Sequence, residues 1–172
     1  KIESGGIETE LPSKSIGVKG RVYMNIVVIG DSLIARSDWV QRFDSLLEAA
    51  YPYADYNTVA SGVNGELSFQ GLARFDSAVA PHHPHIIIIA YGTNDAGYSL
   101  SYFASSMEQM VIKSRNLGAT VFLNLIGPVY YPGKESYSQY NGEILRIASK
   151  YSLPVIDVLS PLSQNPGKYL CD

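Results

Sequence analysis

Residues 85–92 read HIIIIAYG, four consecutive isoleucines closed by a small residue, a tyrosine and a glycine. A run of this kind has no polar face. It fits a strand buried on both sides, and strands of that type belong to parallel sheets covered by helices. Residues 22–30, VYMNIVVIG, repeat the pattern and also end in glycine. ADYNTVA (54–60), ATVFLNLIG (119–127) and LPVIDVL (153–159) add three further strands.

Helical patterns separate these runs. Trp39, Val40, Phe43, Leu46 and Leu47 mark one face of a first helix, with Asp38 and Gln41 in the spacing of a capping box and Pro52 beyond its end. Phe69, Leu72, Phe75 and Val79 trace a second, which stops at Pro81. Phe103, Met107, Met110, Val111, Ser114 and Leu117 trace a third, with Gly118 placed as the residue just past its C-terminus. Tyr137, Tyr140, Ile144, Ile147 and Tyr151 trace a fourth. The order β-α-β-α-β-α-β-α-β predicts one α/β domain, a five-stranded parallel sheet with helices on both faces. Residues 1–21 show no sustained period and read as an irregular leader, so the domain is assigned to 22–172.

Composition agrees with a folded core: 46% of the 172 residues are apolar and 17% are charged. The net charge is −3 with no basic run, which argues against a nucleic-acid partner. The longest purely apolar stretch, IIIIA, is far too short to cross a bilayer. One cysteine, Cys171, excludes an internal disulfide framework and a cysteine-based zinc site.

Parallel sheets of this type bind ligands at the carboxyl ends of their strands. Gly30-Asp31-Ser32 follows the first strand, a loop with Gly62 and Gly65 follows the second, and Gly92-Thr93-Asn94-Asp95 follows the third. Beyond the fifth, the chain reaches Asp172. A hydroxyl, a flexible backbone amide, a carboxamide and a carboxylate on one rim are the components of an acyl-transfer site. The amides of Ser32 and a loop glycine, with the Asn94 side chain, are placed to meet a developing oxyanion.

These same segments resemble the SGNH hydrolases, also called GDSL esterases and lipases. GDSL (30–33) resembles the first block, VNGELSFQGLARF (63–75) the second and GTND (92–95) the third. The QGLAR-type helix is closest to the acyl thioesterase and lysophospholipase branch. The resemblance implies a flavodoxin-like three-layer α/β/α sandwich with no metal and no organic cofactor. It implies Ser32 as nucleophile, and Ser32, Gly65 and Asn94 as the oxyanion pocket, Gly65 being favoured over Gly62.

The family's last block is Asp-x-x-His. Asp172 falls where that block begins, so the resemblance implies Asp172 as the triad acid. The histidine three residues on, and the last helix that covers one face of the sheet, are not among the 172 residues. The domain is therefore expected to be C-terminally incomplete, with a C-terminal fragment or partner chain supplying the histidine, and its activity impaired without it. His82, His83 and His85 precede the third strand, roughly 16–20 Å from the rim at about 3.3 Å per residue, too far to serve as the base. Tyr130 and Tyr131, in the loop after strand four, are placed to line an acyl or sugar pocket. The expected substrate is a small-molecule ester or thioester, a lysophospholipid or an acetylated sugar. The alternative is a non-catalytic carbohydrate- or lipid-binding module on the same scaffold. A nucleotide-binding reading has neither a P-loop nor a G-x-G-x-x-G element behind it.

Overall fold

The computed structural model describes residues 22–128 and 137–164. Five parallel strands form one sheet: β1 (Val22–Gly30), β2 (Ala54–Gly62), β3 (Ile86–Ala90), β4 (Thr120–Asn124) and β5 (Val155–Ile156), in the order β2-β1-β3-β4-β5. This is the doubly wound order of the flavodoxin-like fold, whose direction of winding reverses between β1 and β3. Folds with this winding bind their ligands where the strands on either side of the reversal end, here β1 and β3.

Period-two alternation sends each strand's side chains to two separate cores. Val27, Ile29, Ile87, Ile89, Val121 and Leu123 face one side. There they meet Phe75 from α3 (Ser68–Ala78), Phe103, Met107 and Met110 from α4 (Leu100–Asn116), and Ile144 and Ile147 from α5 (Tyr137–Tyr151). Ile26, Val28 and Ile88 face the other side, against Ile34 of the short α1 (Ser32–Ala35) and Val40 of α2 (Trp39–Ala50). Among the described residues this second face carries only α1 and α2. Beside α2 it leaves an apolar groove of about 820 Å³, floored by Met24, Ile26, Ile86, Ile88, Phe122 and Ile156.

The first strand and the fourth helix fall at their expected limits. Gly118 ends α4 as expected, at φ +77°. The Gly118 N–H donates to Arg115 O and the Ala119 N–H to Ser114 O, the paired bonds of a Schellman motif.

Several local expectations differ. The third strand keeps Ile86–Ala90 of the expected 85–92. Asp38 makes no cap bond; its carboxylate accepts from Arg42 Nε at 2.8 Å, because the i,i+4 partner offers a charged donor. The second strand runs on to Gly62, in register with β1 up to the pair Gly30 and Gly62. The fourth strand stops at Asn124 rather than at residue 127. The Asn141 side chain of α5 takes both backbone groups of Ile126, accepting from its N–H at 2.8 Å and donating to its carbonyl at 3.1 Å. The fifth strand keeps two regular residues of the seven expected. Among the described residues it pairs on one side only, and it follows Pro154, which has no N–H to offer. Residues 159–164 then turn into α6 (Leu159–Gln164).

Candidate active site

Ser32 opens α1 directly after β1 and is half-buried. The turn that presents it is held by Asp31, 2% exposed, whose Oδ1 accepts the Leu33 N–H at 2.9 Å. Gly30 admits no side chain: a Cβ would lie 2.5 Å from the Ala90 carbonyl oxygen of β3. The strand end and the turn are thus fixed by packing as well as by the cap.

The loop after β2 begins with the Val63 N–H donating to Gly30 O at 3.1 Å. Val63–Glu66 then form a turn closed by Glu66 N–H to Val63 O at 3.3 Å. Gly65 stands at its third position with φ +71°, the region that favours glycine. It is exposed, and a Cβ built on it would meet nothing within 4 Å. Gly62 is a different case. A Cβ there would lie 2.3 Å from Ala35 N and 2.8 Å from Asp31 O. Gly62 lets the strand pack under the α1 turn; Gly65 is exposed, with open space on the side a Cβ would occupy.

Asn94 lies in the loop after β3 and is half-buried. Its Nδ2 donates to the Glu66 carbonyl at 3.1 Å and reaches Asp31 Oδ2 at a longer 3.4 Å. One carboxamide therefore touches the neighbour of Gly65 and the neighbour of Ser32. Arg36, which closes α1, adds a bond from its Nε to Asn64 Oδ1 at 2.8 Å. The loops after β1, β2 and β3 meet at the point where the winding reverses.

Three groups at this junction had no role in the sequence reading. Asp95 does more than sit in a polar turn: its carboxylate accepts from the Ser68 N–H at 3.0 Å and from Ser68 Oγ at 2.6 Å. It thereby caps α3 from another element, which no local pattern can announce. Gln70 caps the same helix from within, its Oε1 accepting the Leu67 N–H at 2.9 Å. Behind the loops, Glu66, Arg74 and Tyr91 form a buried polar cluster. Arg74 and Glu66 pair through two bonds, Nε to Oε1 at 2.7 Å and Nη2 to Oε2 at 2.6 Å. The Tyr91 hydroxyl donates to Glu66 Oε2 at 2.6 Å. The bond to Glu66 raises the Arg74 pKa against the opposing effect of burial. Burial first, and then the bond to Glu66, push the Tyr91 phenol well above its ordinary range. The signal in the sequence was faint: Gly71, Arg74 and Phe75 share one helical stripe, and a charge on a stripe that faces the core needs a partner.

His85 and His83 lie at the opposite end of the sheet. His85 Nδ1 accepts the Asn25 N–H at 2.9 Å, and the His83 carbonyl accepts from Asn25 Nδ2. All three histidines of the chain, at 82, 83 and 85, precede β3, and the five residues of that strand separate them from the Ser32 rim. Asp172, Tyr130, Tyr131 and residues 1–21 lie outside the described residues. Among the described residues, no helix is long and apolar enough to cross a membrane.

Residues 28–172 match the sequence profile of the GDSL-like lipase/acylhydrolase family. Among curated sequences, an arylesterase of Vibrio mimicus is 27% identical over 107 residues, 57% of this chain and 52% of that protein. The uncharacterized lipoprotein YqeF of Bacillus subtilis strain 168 is 29% identical over 128 residues, 66% of this chain and 52% of that protein. The chain spans about half the length of the curated relatives it matches. Among solved structures, the alpha/beta hydrolase LAE5 from the metagenome of Lake Arreo superposes with a TM-score of 0.75 at 16% identity, covering 85% of this chain and 82% of that one. The acetylxylan esterase Axe2 of Geobacillus stearothermophilus gives 0.73 at 20% identity, covering 86% and 81%. A lipase/acylhydrolase of Enterococcus faecalis gives 0.73 at 22% identity, covering 84% and 80%. At these identities the structural likeness speaks for the fold.

Proposed function

Because the chain belongs to the GDSL-like lipase/acylhydrolase family, we propose that it carries the nucleophile and oxyanion pocket of a serine esterase acting on small acyl esters or thioesters. Ser32 Oγ attacks the acyl carbon, and its proton passes to a histidine oriented by Asp172. The carbonyl oxygen, now negative, receives hydrogen bonds from Ser32 N–H, Gly65 N–H and Asn94 Nδ2. Collapse of the tetrahedral species breaks the bond to the leaving group, which takes the proton from the imidazolium. Water then attacks the acyl-serine by the same route in reverse roles.

The observation that carries this reading is the placement of the Asn94 carboxamide. Its shorter bond to Glu66 O fixes the amide plane, and its long contact with Asp31 is readily exchanged for a stronger acceptor. One N–H thus stays anchored while the other is available to an oxyanion. The exposure of Gly65 supports the same reading, since a substrate must be able to approach the backbone there.

The three histidines among these 172 residues lie at the far end of the sheet, so none of them is the base in this reading. Tyr130 and Tyr131 follow β4 in the sequence, and we assign them to the acyl or sugar side of the cleft. The names of the Vibrio arylesterase and of the Geobacillus acetylxylan esterase favour small acyl groups on aryl or sugar alcohols. The far-end position of the histidines also favours a second reading, a module that binds such ligands without hydrolysing them.

Hydrolysis of p-nitrophenyl acetate and phenyl acetate by the natural protein and by its Ser32→Ala variant separates the two. The esterase reading expects kcat/KM to fall by at least about a thousandfold on losing the nucleophile. Hydrolysis that is unchanged by Ser32→Ala, or absent from the natural protein, overturns it.

A further inference from the structure

Among the described residues, Arg74 reaches the ends of all three strands around the candidate site. On β2 its Nη1 donates to Ser61 Oγ at 2.8 Å and its Nη2 to Ser61 O at 2.9 Å. On β1 Nη2 lies 3.5 Å from Gly30 O, and beyond β3 it lies 3.2 Å from the Tyr91 hydroxyl. Its two bonds to Glu66 complete the set. Gly30 is two residues before Ser32, Glu66 follows Gly65, and Tyr91 is three residues before Asn94. The Glu66 carbonyl is also the anchor of the Asn94 carboxamide.

We propose that Arg74 is a positioning residue for the oxyanion pocket, a planar five-donor clamp that sets the relative placement of the Ser32, Gly65 and Asn94 loops. The catalytic part of this inference rests on the esterase reading; the mechanical part does not. The role is geometric rather than electrostatic, because the Glu66 carboxylate at 2.6 Å cancels most of the guanidinium charge at the site. A simple ion pair would need one partner. Arg74 instead spends its donors on both carboxylate oxygens of Glu66 and on the hydroxyl and carbonyl of Ser61, with Gly30 O and the Tyr91 hydroxyl at longer range. Only a guanidinium presents donors in that fork; an ammonium keeps the charge and loses the span. Gly71 completes the arrangement. A Cβ there would lie 2.2 Å from the Tyr91 oxygen, so the glycine is what lets that hydroxyl enter the cluster.

Arg74→Lys, with Tyr91→Phe as a milder second variant, tests the clamp by two readouts. In steady-state hydrolysis of p-nitrophenyl acetate by the natural protein, Arg74→Lys is expected to lower kcat about tenfold or more with KM within twofold, because misplaced donors act on the transition state. Tyr91→Phe is expected to lower kcat about threefold, having lost one bond of the set. In amide hydrogen exchange, the Val63 and Ala96 N–H groups, bonded to Gly30 O and Gly92 O, are expected to exchange at least about tenfold faster in Arg74→Lys. Val27 in β1 and Met110 in α4 serve as core references and are expected to hold their rates.

Unchanged exchange at Val63 and Ala96 overturns the clamp. Equal acceleration at all four amides overturns it too, since that reports general destabilisation. Loosened loops with kcat unaltered overturn the positioning role. A natural protein without Ser32-dependent hydrolysis sinks the esterase reading alone, and the exchange data still decide the clamp.

Discussion

Gly71 and Gly142 are both helical glycines, yet alanine is expected to act in opposite directions at the two. At Gly71 in α3, an added Cβ would lie 2.2 Å from Tyr91 Oη and 2.4 Å from Cζ. Tyr91 is 2% exposed and has no room to swing aside. Forcing a methyl group into such packing costs about 1–3 kcal/mol. Driving the hydroxyl off Glu66 costs about 1–3 kcal/mol more, because the carboxylate stays buried. Better helix propensity returns about 1 kcal/mol. The net expected loss is about 3 kcal/mol, which at a slope of about 2 kcal/mol per molar moves the urea midpoint down by about 1.5 M. At Gly142 in α5 a Cβ would meet nothing within 4 Å. Only the propensity remains, so Gly142→Ala is expected to raise the midpoint by about 0.5 M. Parallel urea titrations followed by far-UV circular dichroism give both numbers. If Gly71→Ala behaves like Gly142→Ala, the Tyr91 hydroxyl is not where the cluster needs it.

Asn141→Leu leaves the Ile126 N–H and carbonyl without their side-chain partners, and each such group costs about 1–3 kcal/mol. A loss of about 2–6 kcal/mol in the same titration is expected; a change below about 0.5 kcal/mol, the scale of an ordinary surface substitution, would contradict the bond pair. Alkaline pH should act through Tyr91. Its folded pKa is raised by burial and by Glu66, so the folded state holds the proton more tightly than the unfolded chain. Its contribution to stability is therefore full below the unfolded value of about 10 and is lost as the pH climbs above it. Stability measured against pH should fall above that point, and Tyr91→Phe should flatten the fall; an equal slope in both proteins would contradict the assignment.

How far the sequence could be read follows from where each signal sits. The isoleucine and valine runs declared both-face burial, and β1 and β3 took it up in two cores. Gly118 was legible because the C-terminus of a helix needs a left-handed residue that glycine supplies locally. Ser32, Gly65 and Asn94 were legible as strand-end residues, since a parallel sheet puts such ends on one rim. Asp38 misled because the capping-box spacing says nothing of Arg42, one turn on. The short β4 and β5 were beyond local pattern: one ends where Asn141 from α5 claims its backbone, the other is an edge strand after a proline. The Glu66–Arg74–Tyr91 cluster was hidden for the same reason. Its members are 8 and 17 residues apart in three different elements, and only the fold brings them together.

The central claim is that the loops after β1, β2 and β3 form one pocket for a negative oxygen beside Ser32. A crystal structure of the protein after reaction with p-nitrophenyl ethylphosphonate tests it most directly. The account expects phosphorus bonded to Ser32 Oγ, with the phosphonyl oxygen within about 3 Å of Ser32 N, Gly65 N and Asn94 Nδ2. Phosphorus on another residue, or a phosphonyl oxygen turned away from Gly65 and Asn94, would contradict it.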